Sequence, residues 1–435
     1  MKNLKIIITL ILFVFITSCS KSDEPAPALV PIASITVTNM TPTSGPKNTT
    51  VILTGENFSS VATNNIVTIN DKPCIVNTAS TTSLSITIPR GAGSGVIKVS
   101  VSGLTAQSTN FEYVITPSVV STFAGSTQGY ADGLAGLSQF SFPSGVAVDA
   151  QNNIYVADYS NHKIRKISPS GEVTTLVGST LGYADGQGTA AKFNGPFGIA
   201  LDASGNFYVA DSENQKIRKI STTGAVTTLA GSTYGFADGT GSNAQFKFPL
   251  GVAVDLSNNV YVADLDNYKI RKISPTGVVT TLAGSTFGFA DGTGAAAAFG
   301  GLFGIDVDIS GNIFVPDNGD SKIRKISPAG VVTTLAGSTL GFADGTAALS
   351  QFNYPEDVAV DAAGNIYVAD TSNHKIRKIN TAGIVSTVAG STQGLVNGTA
   401  NTAKFSNPRS IAIDGQGNLY VADRSNHVIR KITID

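Results

Sequence analysis

Hydrophobic positions in the larger, C-terminal part of the chain fall into short runs that are rich in Val, Ile, Tyr and Thr. The stretch FNGPFGIALDASGNFYVADSENQKIRKISTTGAVTTLAGS contains four such runs, which are separated by Asp-Ala-Ser-Gly-Asn, Asp-Ser-Glu-Asn and Ser-Thr-Thr-Gly. Short runs of this composition between turn signals predict β-strands, and no sustained helical period appears in this region. The stretch therefore predicts an antiparallel sheet of four strands.

This stretch recurs along the chain with a constant period. An Asp followed by a turn and a basic strand appears six times, and successive aspartates are 53 residues apart: Asp158, Asp211, Asp264, Asp317, Asp370 and Asp423. A period of this size indicates a repeat architecture, and repeated four-stranded sheets close radially into a propeller. Residues 119–435 are therefore predicted to form a six-bladed β-propeller of six 53-residue repeats.

The two ends of this region indicate how the ring closes. Residues 119–125, VVSTFAG, match the fourth strand of a repeat, and the chain ends at Asp435 just after a third strand. We expect the first segment to complete the last sheet, which leaves no open sheet edge at the seam.

The motif GVAVDAQNNIYVADYSNHKIRKI and its copies resemble the NHL repeat, and residues 119–435 resemble six-bladed NHL propellers. This resemblance implies the fold. It leaves the activity open, because similar propellers include modules that bind proteins, carbohydrates or RNA, and a few lyases and lactonases.

Residues 31–115 form a separate group of predicted strands divided by Pro and Gly turns. The segment TPTSGPKNTTVILTGENF, the Ile-Pro at 88–89 and FEYV at 111–114 resemble the IPT/TIG immunoglobulin-like domain. This resemblance implies a small sandwich that serves as a spacer or as a docking surface. The predicted fold class is thus all-β, an immunoglobulin-like sandwich followed by the propeller.

Residues 1–18 contain Lys2 and Lys5 and then an apolar run, which is too short for a membrane span and is typical of a secretory signal. Residues 16–19, Ile-Thr-Ser-Cys, resemble a bacterial lipobox, which implies a lipoprotein signal peptide and lipidation of Cys19. The alternative is an ordinary signal peptide. Residues 19–30 are a polar tether whose SKSDEP segment resembles signals for the outer face of an outer membrane. We expect a lipid-anchored protein of the bacterial outer membrane, exposed at the cell surface.

Charge and histidine placement exclude some classes of site. The net charge of −1 provides no basic field for nucleic acid, so the Lys and Arg of the KIRKI strands are predicted to be structural.

The three histidines occupy one repeat position, so they are spread around the ring and cannot converge on one zinc ion. The repeated loop carboxylates could bind calcium only if several oxygens converged; they are Asp132, Asp185, Asp238, Asp291 and Asp344. No metal site and no cofactor is predicted, with calcium kept as a weak alternative.

The repeat breaks at four residues where candidate chemistry is concentrated. Asp306 replaces an Ala of the other blades, Glu356 and Asp357 follow Pro355, and Arg409 occupies the position of Glu356 in the next blade. We expect these side chains around the mouth of the central channel, where propellers commonly take ligands. One interpretation is a polar ligand or ion site. The other is drift, with Glu356 and Arg409 pairing across adjacent blades.

The sequence favours a monomeric, non-catalytic surface module that binds a glycan or a protein. Enzymatic activity of the lactonase or lyase type, with an ion at the channel, is the alternative, and a purely structural protein is the third class. The chain has no Trp to stack on sugars. Four loop aromatics could replace it or wedge between blades: Tyr130, Tyr183, Tyr234 and Phe287.

Overall fold

The computed structural model describes residues 34–435, so Cys19 and the predicted signal and tether lie outside the described residues. The chain divides into two compact units, one ending at Val114 and the other beginning at Ile115. All described elements are strands or short 3-10 turns, which confirms the all-β fold class. None of the helical segments within residues 34–435 could span a membrane.

The N-terminal unit is a sandwich of two sheets. Its strands are β1 (Thr36–Thr41), β2 (Ser44–Gly45), β3 (Thr50–Glu56), β4 (Ile66–Ile69), β5 (Lys72–Pro73), β6 (Ile75–Ala79), β7 (Ser83–Thr87), β8 (Gly95–Val101) and β9 (Leu104–Tyr113). The sheet orders are β1-β3-β7-β6 and β2-β9-β8-β4-β5. Alternate residues of β3, such as Val51 and Leu53, are fully buried because successive side chains of a strand point to opposite faces. They form one core with residues of the second sheet, including Ile97 and Phe111.

The C-terminal unit contains six sheets in its described residues, and each has an inner, a second, a third and an outer strand. The inner strands are Pro143–Val148, Pro196–Leu201, Pro249–Val254, Asp306–Val307, Asp357–Val360 and Pro408–Ile413. The second strands are Ile154–Asp158, Phe207–Asp211, Val260–Asp264, Ile313–Asp317, Ile366–Asp370 and Leu419–Asp423. The third strands are Lys163–Ile167, Lys216–Ile220, Lys269–Ile273, Lys322–Ile326, Lys375–Ile379 and Val428–Thr433. The outer strands are Val173–Val177, Ala225–Ala230, Val278–Ala283, Val331–Ala336, Ile384–Ala389 and Val119–Ala124.

The six inner strands surround a central channel. Each inner strand contacts the inner strands of the two neighbouring sheets, and the first strand, Pro143–Val148, contacts the last, Pro408–Ile413. The sheets therefore form a closed ring of blades.

The seam of the ring joins the start of this unit to its end. Val119–Ala124 pairs antiparallel with Val428–Thr433, with Val120 opposite Ile432. The Thr116 hydroxyl also donates to the carboxylate of Asp435 at 2.8 Å. The outer strand of the sixth sheet thus comes from the start of the unit, as the sequence predicts.

A buried arginine connects three parts of each blade. Arg271 donates to Asp264 on the second strand at 2.7 Å and to Asp238 in the preceding loop at 2.6 Å. It also donates to the carbonyls of Gln245 and Ala237. The equivalent fully buried arginines are Arg165, Arg218, Arg324, Arg377 and Arg430. The repeated Asp and Arg residues therefore hold the blade together, and the loop carboxylates are arginine partners.

A second repeated contact connects neighbouring blades through the turn between the second and third strands. His162 Nδ1 accepts the backbone N–H of Gly195 at 3.2 Å, and Gln215 Oε1 accepts that of Phe248 at 2.7 Å. His374 and His427 make the same contact in their blades, and burial lowers the pKa of all three histidines. These histidines are separate structural links around the ring.

Candidate functional site

The channel opens at the end of the blades where the inner strands begin, and here three positions of the repeat vary. The position before the inner strand carries Phe142, Gly195, Phe248, Gly301, Tyr354 and Asn407. Two residues further on stand Ser144, Phe197, Leu250, Phe303, Glu356 and Arg409. The turn between the second and third strands begins with Tyr159, Ser212, Leu265, Asn318, Thr371 and Arg424.

The channel cavity has a volume of about 220 Å³ and is lined by the inner segments of all six blades. Asp306, Glu356, Asp357 and Arg409 all belong to its lining. The structure thus brings together the four residues at which the sequence departs from the repeat. None of them lies in the outer part of a blade.

Glu356 and Arg409 form an ion pair between adjacent blades. Arg409 Nε lies 2.7 Å from Glu356 Oε2, and the two side chains are 12% and 18% exposed, respectively. The Arg409 guanidinium also lies 4.1 Å from the centre of the Phe197 ring. The pairing that the sequence offered as the drift interpretation is present, and it lies inside the channel mouth.

Asp357 and Asp306 accept backbone N–H groups along the inner edge of the ring. Asp357 Oδ2 accepts from the Ser410 hydroxyl at 2.7 Å and from the Ile411 N–H at 3.0 Å. Asp306 Oδ2 accepts from the Val360 N–H at 2.8 Å. Both carboxylates therefore connect their own blade to the next one.

The Asp357 carboxylate depends on a glycine in the neighbouring blade. A Cβ placed on Gly304 would lie 1.9 Å from Asp357 Oδ1, far closer than any unbonded contact. Glycine at position 304 thus leaves the space that the acidic side chain occupies.

Burial changes the protonation of these channel carboxyls. It raises the pKa of Asp306 to about 6 and that of Asp357 to about 7, and the nearby charge of Asp306 adds to the increase at Asp357. Burial also raises the pKa of Glu356, against the effect of Arg409. Within residues 34–435, no three His, Cys, Asp or Glu side chains are placed to hold one metal ion.

A second cavity, here called the rim cavity, adjoins the channel mouth and also has a volume of about 220 Å³. Phe197 and Arg409 line both cavities. The other rim-cavity residues are Tyr159, Ser212, Glu213, Phe248, Leu250, Leu265, Phe303 and Arg424. We refer to the two joined cavities as the mouth site. Its aromatic half was not predicted, although the variation at the three repeat positions is a signal that could have indicated it.

Three aromatic residues around the mouth have a strained backbone. Phe142, Phe248 and Tyr354 have φ values of 51°, 47° and 46°, in the left-handed region that bulky residues rarely adopt. Gly195 occupies the same position in another blade with φ of 60°. A strained residue costs about 1–3 kcal/mol and persists where the surroundings require it, often at functional sites. Aromatic side chains are thus held at this end of the ring at a cost in stability.

The four loop aromatics of the sequence analysis belong to two different positions. Tyr130 and Tyr183 cover the buried arginines, with Arg165 and Arg218 lying 4.9 and 5.0 Å from their ring centres. Tyr234 instead lies 5.9 Å from Phe248, beside the rim cavity. Phe287 is 68% exposed and contacts Tyr268. Tyr234 and Phe287 share one repeat position, and of the two it is Tyr234 that contacts a residue of the mouth site.

Comparisons with known proteins agree with this architecture. The IPT/TIG domain family matches residues 36–113, and the NHL repeat family matches residues 140–167, 193–220, 352–379 and 405–432. The chain is 31% identical over 277 residues to the protein SUPPRESSOR OF QUENCHING 1, chloroplastic, of Arabidopsis thaliana, covering 58% of this chain and 26% of that protein. It is 28% identical over 348 residues to NHL repeat-containing protein 2 of Gallus gallus, covering 68% and 46%. The chain spans less than half the length of either relative.

Two solved structures from Bacteroides thetaiotaomicron share the fold. A structural genomics protein of unknown function superposes with a TM-score of 0.76 at 23% identity, covering 93% of this chain and 99% of that one. An auxiliary nutrient binding protein superposes with a TM-score of 0.57 at 20% identity, covering 93% and 98%. The chain therefore carries an IPT/TIG domain followed by NHL repeats that build a β-propeller.

Proposed function

We propose that the propeller is a non-catalytic binding module whose ligand enters the mouth site. The observation that carries this proposal is the distribution of variation among the repeats. Repeated polar residues such as Asp264 and Arg271 pair with one another inside the blades, whereas residues from each of the three variable positions line two joined cavities. A scaffold of equal units that differs at one concave end is suited to presenting a specific surface.

A glycan fits this site better than a protein does. Protein partners typically cover about 800 Å² on each side, whereas the mouth site offers two recesses of about 220 Å³ each. A sugar has an apolar ring face and a rim of hydroxyl groups. Phe248 and Phe303 provide apolar surface for the ring, while Glu213 and Glu356 provide acceptors for the hydroxyls. The name of the auxiliary nutrient binding protein that shares the fold supports a binding role.

We further propose that a lipid on Cys19 anchors the protein to the outer membrane, with the propeller exposed to the surroundings of the cell. In this account the IPT/TIG domain is a spacer between the lipid and the propeller. Glycans outside the cell would then have direct access to the module.

A glycan array probed with the purified protein tests the proposed function. Phe248→Asn introduces the residue that Asn407 provides in another blade, so the fold tolerates it while the mouth site loses a ring. Tyr130→Leu is the matched control, because Leu395 occupies that loop position in another repeat. We expect the wild type and the control to bind the same glycans and Phe248→Asn to lose at least tenfold in affinity. No glycan binding by the wild type, or equal binding by Phe248→Asn, would contradict the proposal.

A further inference from the structure

We infer that the glycan taken by the mouth site is acidic, with a sugar carboxylate bound by Arg424. This inference rests on the proposed function and specifies the class of its ligand. It follows from what Arg424 replaces in the repeat, from the absence of an ion pair at its guanidinium among the described residues, and from the surface opposite it.

In three of the six blades, the residue that begins the turn between the second and third strands connects two blades. Ser212, Asn318 and Thr371 donate to the carbonyls of Pro249, Pro355 and Pro408 in the next inner segment, at 2.6, 3.2 and 2.8 Å respectively. The other three blades carry side chains that do not provide this small hydroxyl or amide donor: Tyr159, Leu265 and Arg424. All three line the rim cavity. Ser212 also lines the rim cavity and keeps the link, so the link is replaced in three of the four turns that reach this cavity.

Arg424 has an unused capacity to bind an anion. Among residues 34–435 Arg424 forms no ion pair within 4.0 Å, although its charge acts on the nearby Glu356 carboxyl. Its buried Nε has no hydrogen-bond partner there, as is also true of Arg271. Arg409, the other arginine of the cavity, is paired with Glu356. The Phe142 ring lies 4.9 Å from the Arg424 guanidinium and limits its orientation. A planar guanidinium of this kind matches the planar carboxylate of a ligand through two parallel hydrogen bonds.

The rest of the rim cavity suits one sugar ring. Phe248, Leu250 and Phe303 give an apolar surface on which a ring face can lie. The Tyr159 hydroxyl donates to Glu213 Oε1 at 3.0 Å, which orients an exposed carboxylate that can accept sugar hydroxyls. A cavity of about 150 Å³ takes a benzene molecule, so the rim cavity of about 220 Å³ has room for one ring and its carboxylate. A uronic acid residue combines these features.

Calorimetric titration with galacturonic and glucuronic acid trimers and their methyl esters tests the inference, because each ester keeps the shape of the acid and loses its charge. We expect at least one acid to bind tenfold or more tightly than its ester. Arg424→Gln should lower the affinity for that acid to the affinity for the ester and leave the ester unaffected. Arg90→Gln removes a guanidinium from the other unit and should change neither affinity. Unchanged melting temperatures establish that both variants fold.

Several outcomes would overturn the inference. They are equal binding of acid and ester by the wild type, full affinity for the acid in Arg424→Gln, or no binding of any of the four probes. If neutral glycans bind and Phe248→Asn abolishes that binding, the proposed function stands without the acidic ligand. Phenylacetate provides the last comparison, and phenylacetamide is its uncharged control. Tighter binding of phenylacetate than of either sugar acid would show that the ligand is not a sugar.

Discussion

At the scale of single residues, one side-chain type has different roles in the repeat and at the mouth. The arginine of each third strand is fully buried and shared between two blade segments. Arg409 and Arg424 instead line a cavity. The same holds for aspartate: Asp264 accepts from an arginine, while Asp306 and Asp357 accept from backbone N–H groups at the channel. The surroundings of each group, more than its type, determine what it does.

Replacing the channel acids by the residues of the other blades should change how stability depends on pH. Burial raises the pKa of Asp306 to about 6 and that of Asp357 to about 7, so the folded protein holds protons that the unfolded chain has released. The stabilisation is complete below the unfolded pKa and is lost as pH rises through the folded values. The double variant Asp306→Ala/Asp357→Gly has neither carboxyl, so it does not lose this stabilisation as pH rises. The melting temperature of the double variant minus that of the wild type should therefore increase from pH 5 to pH 8. Thermal melts in which this difference stays constant would contradict the prediction.

At the scale of elements, each loop between blades is fixed by the third strand of the blade that it precedes. The arginine of that strand holds the second-strand aspartate and the loop aspartate together. In the sixth blade Asn397 replaces the loop aspartate and still accepts from Arg430 at 2.8 Å. A neutral acceptor is thus sufficient in the loop.

The arginine and the loop aspartate should differ greatly in their importance for stability. Arg271→Met leaves the buried Asp264 carboxylate without its cation, and breaking a buried pair in this way costs about 3–5 kcal/mol. Asp238→Asn repeats what Asn397 does in the sixth blade and should cost about 1 kcal/mol or less. Chemical denaturation of both variants measures the two free energies. Comparable losses would show that the loop charge matters as much as the buried pair.

The seam between Val119–Ala124 and Val428–Thr433 should control the integrity of the ring. Val120 is fully buried there, while its neighbour Val119 is 46% exposed. Val120→Asp should lower the melting temperature and expose a sheet edge that pairs with other molecules. Val119→Asp serves as the control and should remain close to wild type in melting and in elution volume. A monomeric Val120→Asp protein with wild-type melting would mean that the ring closes without this strand.

The sequence allowed the repeated elements to be predicted, but only part of the site. The 53-residue period and the strand composition indicated the blades, and the breaks at Asp306, Glu356, Asp357 and Arg409 indicated the charged half of the mouth. The aromatic half was missed because its residues come from several blades and meet only when the ring closes. The left-handed backbone of Phe248 is likewise invisible in a pattern of hydrophobic positions. Tyr130 and Tyr234 were grouped as loop aromatics although they occupy different repeat positions. The sequence does not show that Tyr130 covers a buried arginine.

At the scale of the whole molecule, a lipid anchor would place a repeated scaffold with one variable end outside the cell. Cys19 is the expected lipidation site because it follows the apolar run directly, and stable anchoring needs more than one acyl chain. Cys19→Ser should move the protein from the membrane to the soluble fraction and abolish labelling with a fatty-acid probe. Cys74→Ser is the control and should stay in the membrane fraction. Membrane-bound, labelled Cys19→Ser protein would exclude this anchor.

The most direct test of the binding account is a crystal structure of the protein with a glycan that it binds in solution. The account predicts ligand density at the mouth site, with a sugar ring against Phe248 or Phe303 and polar contacts to Arg424 or Glu356. Density confined to the outer rim beside Tyr130, or to the opposite end of the channel, would contradict it.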